Sequence, residues 1–377
     1  MRLSGPAGML ALIMTVGGSV LVPAAETPPP LPAPDGRSCV GASPVQVATT
    51  SWPQGRMAPQ LVWPLTQGQE VVVAIVDTGV SRAAPALAGA VRPGRDVLTG
   101  APATDDCLGR GTALAGIVAA RPALGSEMAG MAPAATVLPI RVVDANGRIP
   151  PGALAAGIRA AAAERATVIL VGTGTSTDSG DLRAAVDAAV AADSLVVAAV
   201  TGADESARAT YPAAYPQVLA VAAVGADGLP AGTDEVDLTA PAAGGHSIGP
   251  AGAGHYRVGG AAVAAAYVAG TAALVRSYHP GLRWSQVRDR LVSTAEPVVS
   301  SDVGTVDAYA AVSGVASAAR SVPPPQAQPV RLPAPPGTDP AIRIAALAGS
   351  VLLGGAVVLA ALVLTLRSAR RRRPPWP

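Results

Sequence analysis

The stretch Val71–Val80, VVVAIVDTGV, carries six consecutive apolar residues into a carboxylate, Asp77, and a Thr-Gly turn. A short apolar run rich in β-branched residues and closed by turn residues reads as a strand buried on both faces. Downstream, further strands are expected at Val137–Val143, Val168–Val171, Leu195–Val200 and Val218–Val224. Between them, Ala-rich patterns predict helices at Ala113–Ala120, Leu154–Arg165 and Leu182–Ala192, and a strongly apolar helix follows at Ala262–Arg276. Apolar strands alternating with helices predict one α/β domain with a parallel sheet covered on both faces. Sites in such sheets form at the carboxyl ends of the strands, which makes Asp77 the first candidate, a structural cap being the plain alternative.

Composition narrows the function classes. Half of the 377 residues are hydrophobic, which excludes a disordered chain. All 27 basic residues are arginine and phenylalanine is absent, the bias of a GC-rich coding sequence. Seven of those arginines lie before residue 26 or after residue 340, so twenty face all 25 acidic residues in between, a net charge of −5 for that span. Nucleic-acid binding is not expected of such a body, nor is any cofactor.

The two ends predict export and anchoring. Residues 1–25 read as a signal peptide, with Arg2, an apolar stretch from Met9 to Val22 and small residues at Ala24 and Ala25. Residues 26–70 form a Pro-rich extension containing Cys39, and residues 316–343 a Pro-rich linker. From Ser321 to Pro340, eight prolines in 20 residues suit a semi-rigid polyproline stalk reaching ~60 Å. Residues 344–366 are 23 without a charge, ~34 Å as a helix and long enough to span a bilayer. The basic tail 367–377, opening RSARRRR, is expected to stay in the cytoplasm, leaving the folded domain, residues 71–315, outside. In an exported compartment Cys39 and Cys107 suit a disulfide, two free thiols being the alternative, and two thiols without a neighbouring histidine make no complete metal site.

The segments VAIVDTGV, DDCLGRGTALAGIVAA, GMAPAATVLPIRVVD, YPAAYPQVLAVAAVG and YVAGTAALVRSYHP occur in the order and approximate spacing of a subtilisin-like serine protease. More closely, the chain resembles the mycosins, membrane-anchored subtilases of type VII secretion, which also have a cysteine-bearing extension, a cysteine ahead of the second segment and one C-terminal anchor with a basic tail. The resemblance implies a subtilisin-like three-layer fold plus one C-terminal transmembrane helix. It also implies a Cys39–Cys107 bond clipping the extension over the cleft region. Where it would place the catalytic set, only Asp77 matches. GHGT reads GRGT here, with Arg110 at the histidine position, and GTSxAAPxVAG reads GAAVAAAYVAG, with Ala262 at the serine position and Ala266 at the proline position. The oxyanion asparagine is expected after Leu195–Val200, where the chain gives VTGAD, and the sole asparagine, Asn146, lies in the turn DANG.

The methyl group of Ala262 has no lone pair and no proton to lose, and the guanidinium of Arg110 stays charged and offers no acceptor site. Proteolysis is therefore not expected. Two arrangements are open for Arg110: an ion pair with Asp77, or a side chain turned to solvent. His279, in SYHP, is expected to mark a helix end. His246 and His255, in GGHSIGPAGAGHYRVGG, are expected in a solvated loop, with rescue of catalysis by them as the alternative.

The resemblance implies a structural member of a type VII secretion complex, with membrane components of that system as partners and attachment to the cell membrane through one helix. Two alternatives are an active endopeptidase with a different catalytic set and a peptide-binding module. The latter would hold secreted polypeptides along Val168–Gly174.

Overall fold

The computed structural model describes residues 27–200, 210–225, 230–231, 236–298 and 301–314, and in a second unit residues 352, 355–364 and 367. In chain order the first unit contains α1 (Trp52–Met57), β1 (Val72–Asp77), β2 (Arg95–Asp96), α2 (Arg110–Ala119), β3 (Thr136–Arg141), α3 (Ala153–Ala163), β4 (Val168–Val171) and α4 (Gly180–Ala191). Then come β5 (Leu195–Ala199), β6 (Leu219–Val224), β7 (Pro230–Ala231), β8 (Leu238–Pro241), β9 (Gly245–Ile248), β10 (His255–Val258) and α5 (Ala261–Tyr278). The unit closes with α6 (Trp284–Ser293), β11 (Glu296–Val298), β12 (Ser301–Thr305) and α7 (Ala308–Ser313). The expected strands and helices stand within a few residues of their observed bounds.

The main sheet runs β11-β12-β8-β6-β5-β4-β1-β3-β2, and β7 pairs with β6. Pairing along the central part from β2 to β8 is parallel, and only β7 and β11 run antiparallel to their neighbours. Alternate residues of each central strand enter opposite layers, the two-residue period of a pleated strand. Val73 and Ile75 of β1, with Leu170 of β4 and Val197 of β5, join the core beneath α2 and α5. Ala74 and Val76, with Ile169 and Val196, join the core beneath α3 and α4. Both faces are thus buried, which is why these strands read as unbroken apolar runs.

With no phenylalanine, the layers close through small residues. A Cβ on Gly270 of α5 would overlap Met131, and one on Gly157 of α3 would meet Val142, Val76 and Ile140. Among the described residues α5 alone is long and apolar enough to cross a membrane, and its burial on this sheet identifies it as a core helix. In the second unit the described part of the expected span is an apolar helix, Gly355–Leu364. The signal peptide at 1–25 and the linker between 316 and 343 lie outside the described residues.

Overpacking of a close-packed core costs about 1–3 kcal/mol. Gly270→Ala is therefore expected to lower stability by that amount in urea denaturation, with Gly281→Ala, where nothing lies near the added methyl, as the neutral comparison.

Candidate functional site

Asp77 ends β1, the strand flanked by β3 and β4, and its side chain is completely buried. Oδ1 accepts the backbone N–H of Thr78 at 2.8 Å and Nε–H of Arg110 at 2.8 Å. Of the two arrangements open for Arg110, the structure shows the ion pair, with 40% of the arginine side chain still exposed. Contact is through one nitrogen: Oδ2 of Asp77 and Nη2 of Arg110 are buried without a hydrogen-bond partner among the described residues. Attraction to Asp77 raises the affinity of the guanidinium for its proton above the usual arginine range, against the opposing effect of burial.

Local sequence dictates this meeting. Gly109 is the N-cap of α2 with φ +77°, and Arg110 is the first helical residue. Thr78 Oγ1 accepts the Gly111 N–H at 2.8 Å, and Thr112 Oγ1 accepts the Ser81 N–H at 2.9 Å. A Cβ on Gly111 would overlap the Gly79 carbonyl, so only glycine permits this approach. Asp106 supplies the cap that Gly109 lacks. Its Oδ1 accepts from Gly109 N–H at 2.8 Å, and its Oδ2 accepts from the Thr112 N–H at 2.8 Å and hydroxyl at 2.7 Å. A carboxylate is well placed at the positive end of a helix. Burial nonetheless outweighs these bonds and pushes the Asp106 carboxyl up to about 6. Sequence reading missed Asp106, although an acidic residue just ahead of a helix start was a visible signal.

The extension is bound to this junction. Cys39 and Cys107 are disulfide-bonded, and Val40 N–H donates to the Cys107 carbonyl at 2.8 Å. Leu31 and Val40 both lie against Gly109.

Ala262 is the second residue of α5 and is half-buried behind Gly260, the helix N-cap. The third of the expected site positions thus falls on a helix that packs along α2. Its methyl group supplies no nucleophile, and the Arg110 guanidinium, already committed to Asp77, supplies no base. Among the described residues no group of three metal-binding side chains converges. The segment VTGAD falls outside the described residues beyond Val200, and Asn146 occupies an exposed turn in which its N–H donates to Asp144 Oδ1 at 2.9 Å. Beside the strand ends, a cavity of about 400 Å³ opens between the loop after β3 and the loop after β4, lined by Ile149, Pro150, Leu154, Thr175 and Leu182.

His246 and His255 do not lie in a solvated loop. They sit 6% and 2% exposed on β9 and β10, an antiparallel hairpin, with ring centroids 5.8 Å apart. The pairing escaped notice because the extension completes it: His255 N–H donates to the Val45 carbonyl at 2.7 Å, and the Val47 N–H donates to His255 Nδ1 at 2.8 Å. Nδ1 therefore carries a lone pair, and the neutral ring holds its proton on Nε2, 3.3 Å from Ser126 Oγ. A serine base needs the opposite tautomer, with Nε2 free to accept, so Ser126 and His255 do not form a catalytic dyad. Ser247 Oγ is turned to the Ala113 carbonyl at 2.6 Å. His279 follows α5 as expected, its Nε2 lying 2.8 Å from the Val312 carbonyl.

The sequence matches the profile of the subtilase family, peptidase S8, over residues 68–319. Thermitase of Thermoactinomyces vulgaris is 34% identical over 268 residues, covering 69% of this chain and 94% of thermitase. Mycosin-4 of Mycobacterium tuberculosis is 33% identical over 375 residues, covering 83% of this chain and 80% of that protein. Among solved structures, the serine protease MycP1, described as an essential component of the type VII (ESX-1) secretion system, superposes with a TM-score of 0.63 at 28% identity, covering 77% of this chain and 96% of MycP1.

Two outcomes are expected. Removing one partner of a buried pair costs about 3–5 kcal/mol, and the exposure of Arg110 reduces that to roughly 1–3 kcal/mol for Arg110→Ala in urea denaturation. Asp77→Asn combined with Arg110→Gln should cost less than the sum of the two single changes.

The second outcome concerns acid. Burial, reinforced by His246, brings His255 down to about 4 from its ordinary 6.5. The unfolded chain thus binds this proton more readily, so the contribution of His255 is present above pH 6.5 and is lost as pH falls towards 4. At about 1.4 kcal/mol per pH unit, wild type should lose roughly 3 kcal/mol relative to His255→Asn, which keeps an acceptor but does not titrate. Asp106, raised to about 6, acts in the opposite direction in both proteins and cancels in that difference.

Proposed function

Because the chain belongs to the subtilase family, and because the end of its central strand holds Asp77 against an arginine instead of a base, we propose that it is a proteolytically inactive, mycosin-like subtilase acting as a structural component of a type VII secretion complex. The single observation that carries this reading is the Arg110–Asp77 pair at 2.8 Å. An imidazole in that place would take a proton from a nucleophile, whereas a guanidinium can only donate. With a methyl at Ala262 there is also no hydroxyl to activate. Loss of triad members leaves only ~10³–10⁴ over the uncatalysed reaction, and even that requires an intact oxyanion hole.

The assignment to type VII secretion rests on the likeness to mycosin-4 and MycP1. Membrane attachment is supported by the apolar helix Gly355–Leu364 within the uncharged stretch 344–366, and by the arginine-rich residues after it, which favour a cytoplasmic tail and an external domain. A folded surface held at the membrane without hydrolytic activity suits a scaffold, with membrane components of the secretion complex as its partners.

A second reading is favoured by one feature. The 400 Å³ cavity adjoins the segment beyond β4, where Thr175 exchanges backbone hydrogen bonds with Tyr211. Strand addition along the whole of Val168–Gly174, as expected from the sequence, is not open, because Val168–Val171 is hydrogen-bonded to β1 on one side and β5 on the other. An extended secreted polypeptide would have to approach Gly172–Gly174 beyond the strand and seat a side chain in the cavity.

The full-length protein, purified in mild detergent, is expected to show no labelling by a fluorophosphonate probe beyond that of the heat-denatured sample. Labelling blocked by a serine-protease inhibitor would overturn inactivity. Extraction from membranes is expected to bring down other envelope proteins with it. Recovery as a lone monomer, under conditions that keep other envelope complexes together, would remove the scaffold role, and crosslinks from Thr175 to secreted polypeptides alone would favour the second reading.

A further inference from the structure

On the hairpin side of the domain, apart from the Asp77–Arg110 junction, a cavity of about 150 Å³ lies between the loop after α2, the turn at Ala84–Ala86 and the hairpin β9–β10. Gln46 of the extension forms one of its walls. The groups with chemistry are His255, Ser126 and Arg121, and the apolar part is supplied by Met128, Ile248 and Pro85. No aspartate or glutamate lines it.

Hydrogen positions follow from the contacts already described. Val47 occupies Nδ1 of His255, so Nε2 carries the proton and donates it to Ser126 Oγ at 3.3 Å. The Met128 N–H donates to the same oxygen at 3.2 Å. Both lone pairs of that hydroxyl are then engaged, so its own proton is left to donate. Arg121 adds a guanidinium that forms no ion pair among the described residues. Its main chain is fixed by donation from its N–H to the Ala86 carbonyl at 2.8 Å. The site therefore offers donors, a positive charge and a small apolar wall, and it lacks a charged acceptor.

We propose that this cavity binds a small carboxylate carrying a short branched apolar group, its oxygens accepting from Ser126 Oγ–H and the Arg121 guanidinium and its alkyl group lying on Met128, Ile248 and Pro85. The donor set favours an anion over a neutral amide, because a charge-assisted bond is about twice as strong as a neutral one. The volume restricts the ligand to a handful of heavy atoms, such as a branched short-chain acid or the last residue of a peptide ending in valine. His255 is a positioning residue here: it fixes the direction in which the serine hydroxyl points.

The test is titration calorimetry on the full-length protein in detergent near pH 7, with isovalerate and N-acetylvaline as probes and isovaleramide as the neutral isostere. Saturable binding of at least one acid, with the amide at least tenfold weaker, is expected. Arg121→Gln should weaken binding about tenfold while leaving the thermal midpoint near that of wild type. Ser126→Ala, which also takes the acceptor from the Met128 N–H and the His255 ring, should weaken binding about tenfold and lower that midpoint. Tighter binding of N-acetylvaline would identify a peptide terminus as the natural source, and tighter binding of isovalerate a free acid. No saturation by either acid, equal binding of the amide, or indifference to both substitutions would overturn the proposal.

Discussion

A carboxylate with no exposure to water, at the end of a central strand, must have a counter-charge or a set of donors. Asp77 has the Thr78 amide and the Arg110 guanidinium, both on Oδ1. That requirement fixes where α2 begins. Arg110 reaches the carboxylate from the first helical position only because Gly111 lets the helix start against the Gly79 carbonyl, and because Asp106 caps the buried amides of Gly109 and Thr112. Unpairing any of these groups would leave a buried polar atom without a partner, which is costlier than the net worth of the bond that was lost. The junction is thus held from three directions, and the group set against Asp77 is a guanidinium, which can donate a hydrogen bond but not accept one.

The parts of this architecture legible in the sequence are those encoded locally. β1, β4 and β5 are apolar on both faces, so their runs announce strands, and α5 is apolar almost all round because it is enclosed by the sheet, α2 and α6. Asp77, Arg110 and Ala262 were marked by their places in ordered segments, and the pairing of Arg110 with Asp77 needed only that those segments keep their usual approach. What stayed hidden depends on contacts across long separations. His246 and His255 lie in a glycine-rich stretch without periodicity, and the hydrogen-bond partners of His255, Val45 and Val47, are more than 200 residues away along the chain. Asp106 is a different case: an acidic residue ahead of the start of α2 is visible in the sequence, but it stands three residues before the Gly109 N-cap, so only the fold shows that its side chain is the cap.

A core without phenylalanine has to be filled by approach of backbones. Gly116 on α2 brings that helix onto Ser247 and Ile248 of the hairpin, and Gly270 on α5 admits Met131. Such contacts leave little free volume for adjustment, which ties the hairpin, α2 and α5 together. Displacing the hairpin would therefore be felt at Arg110, although no side chain of the hairpin touches the arginine in any described contact.

The extension acts on the same unit. It is joined covalently to Cys107, three residues before Arg110, and its amide at Val47 selects the tautomer of His255. In a peptidase, a segment lying across Gly109 would invite an explanation in terms of blocking the cleft. On the proposed reading, in which Arg110 and Ala262 supply neither base nor nucleophile, a blocking role has nothing to regulate. The contacts of residues 30–47 point instead to a strap, closing β10 on one side and supporting the first turn of α2 on the other. On the scaffold reading this gives the retained junction a purpose. On that reading the ion pair and the strap hold the shape of the carboxyl-terminal face of the sheet in the absence of a catalytic set, and a preserved shape is what a binding partner requires.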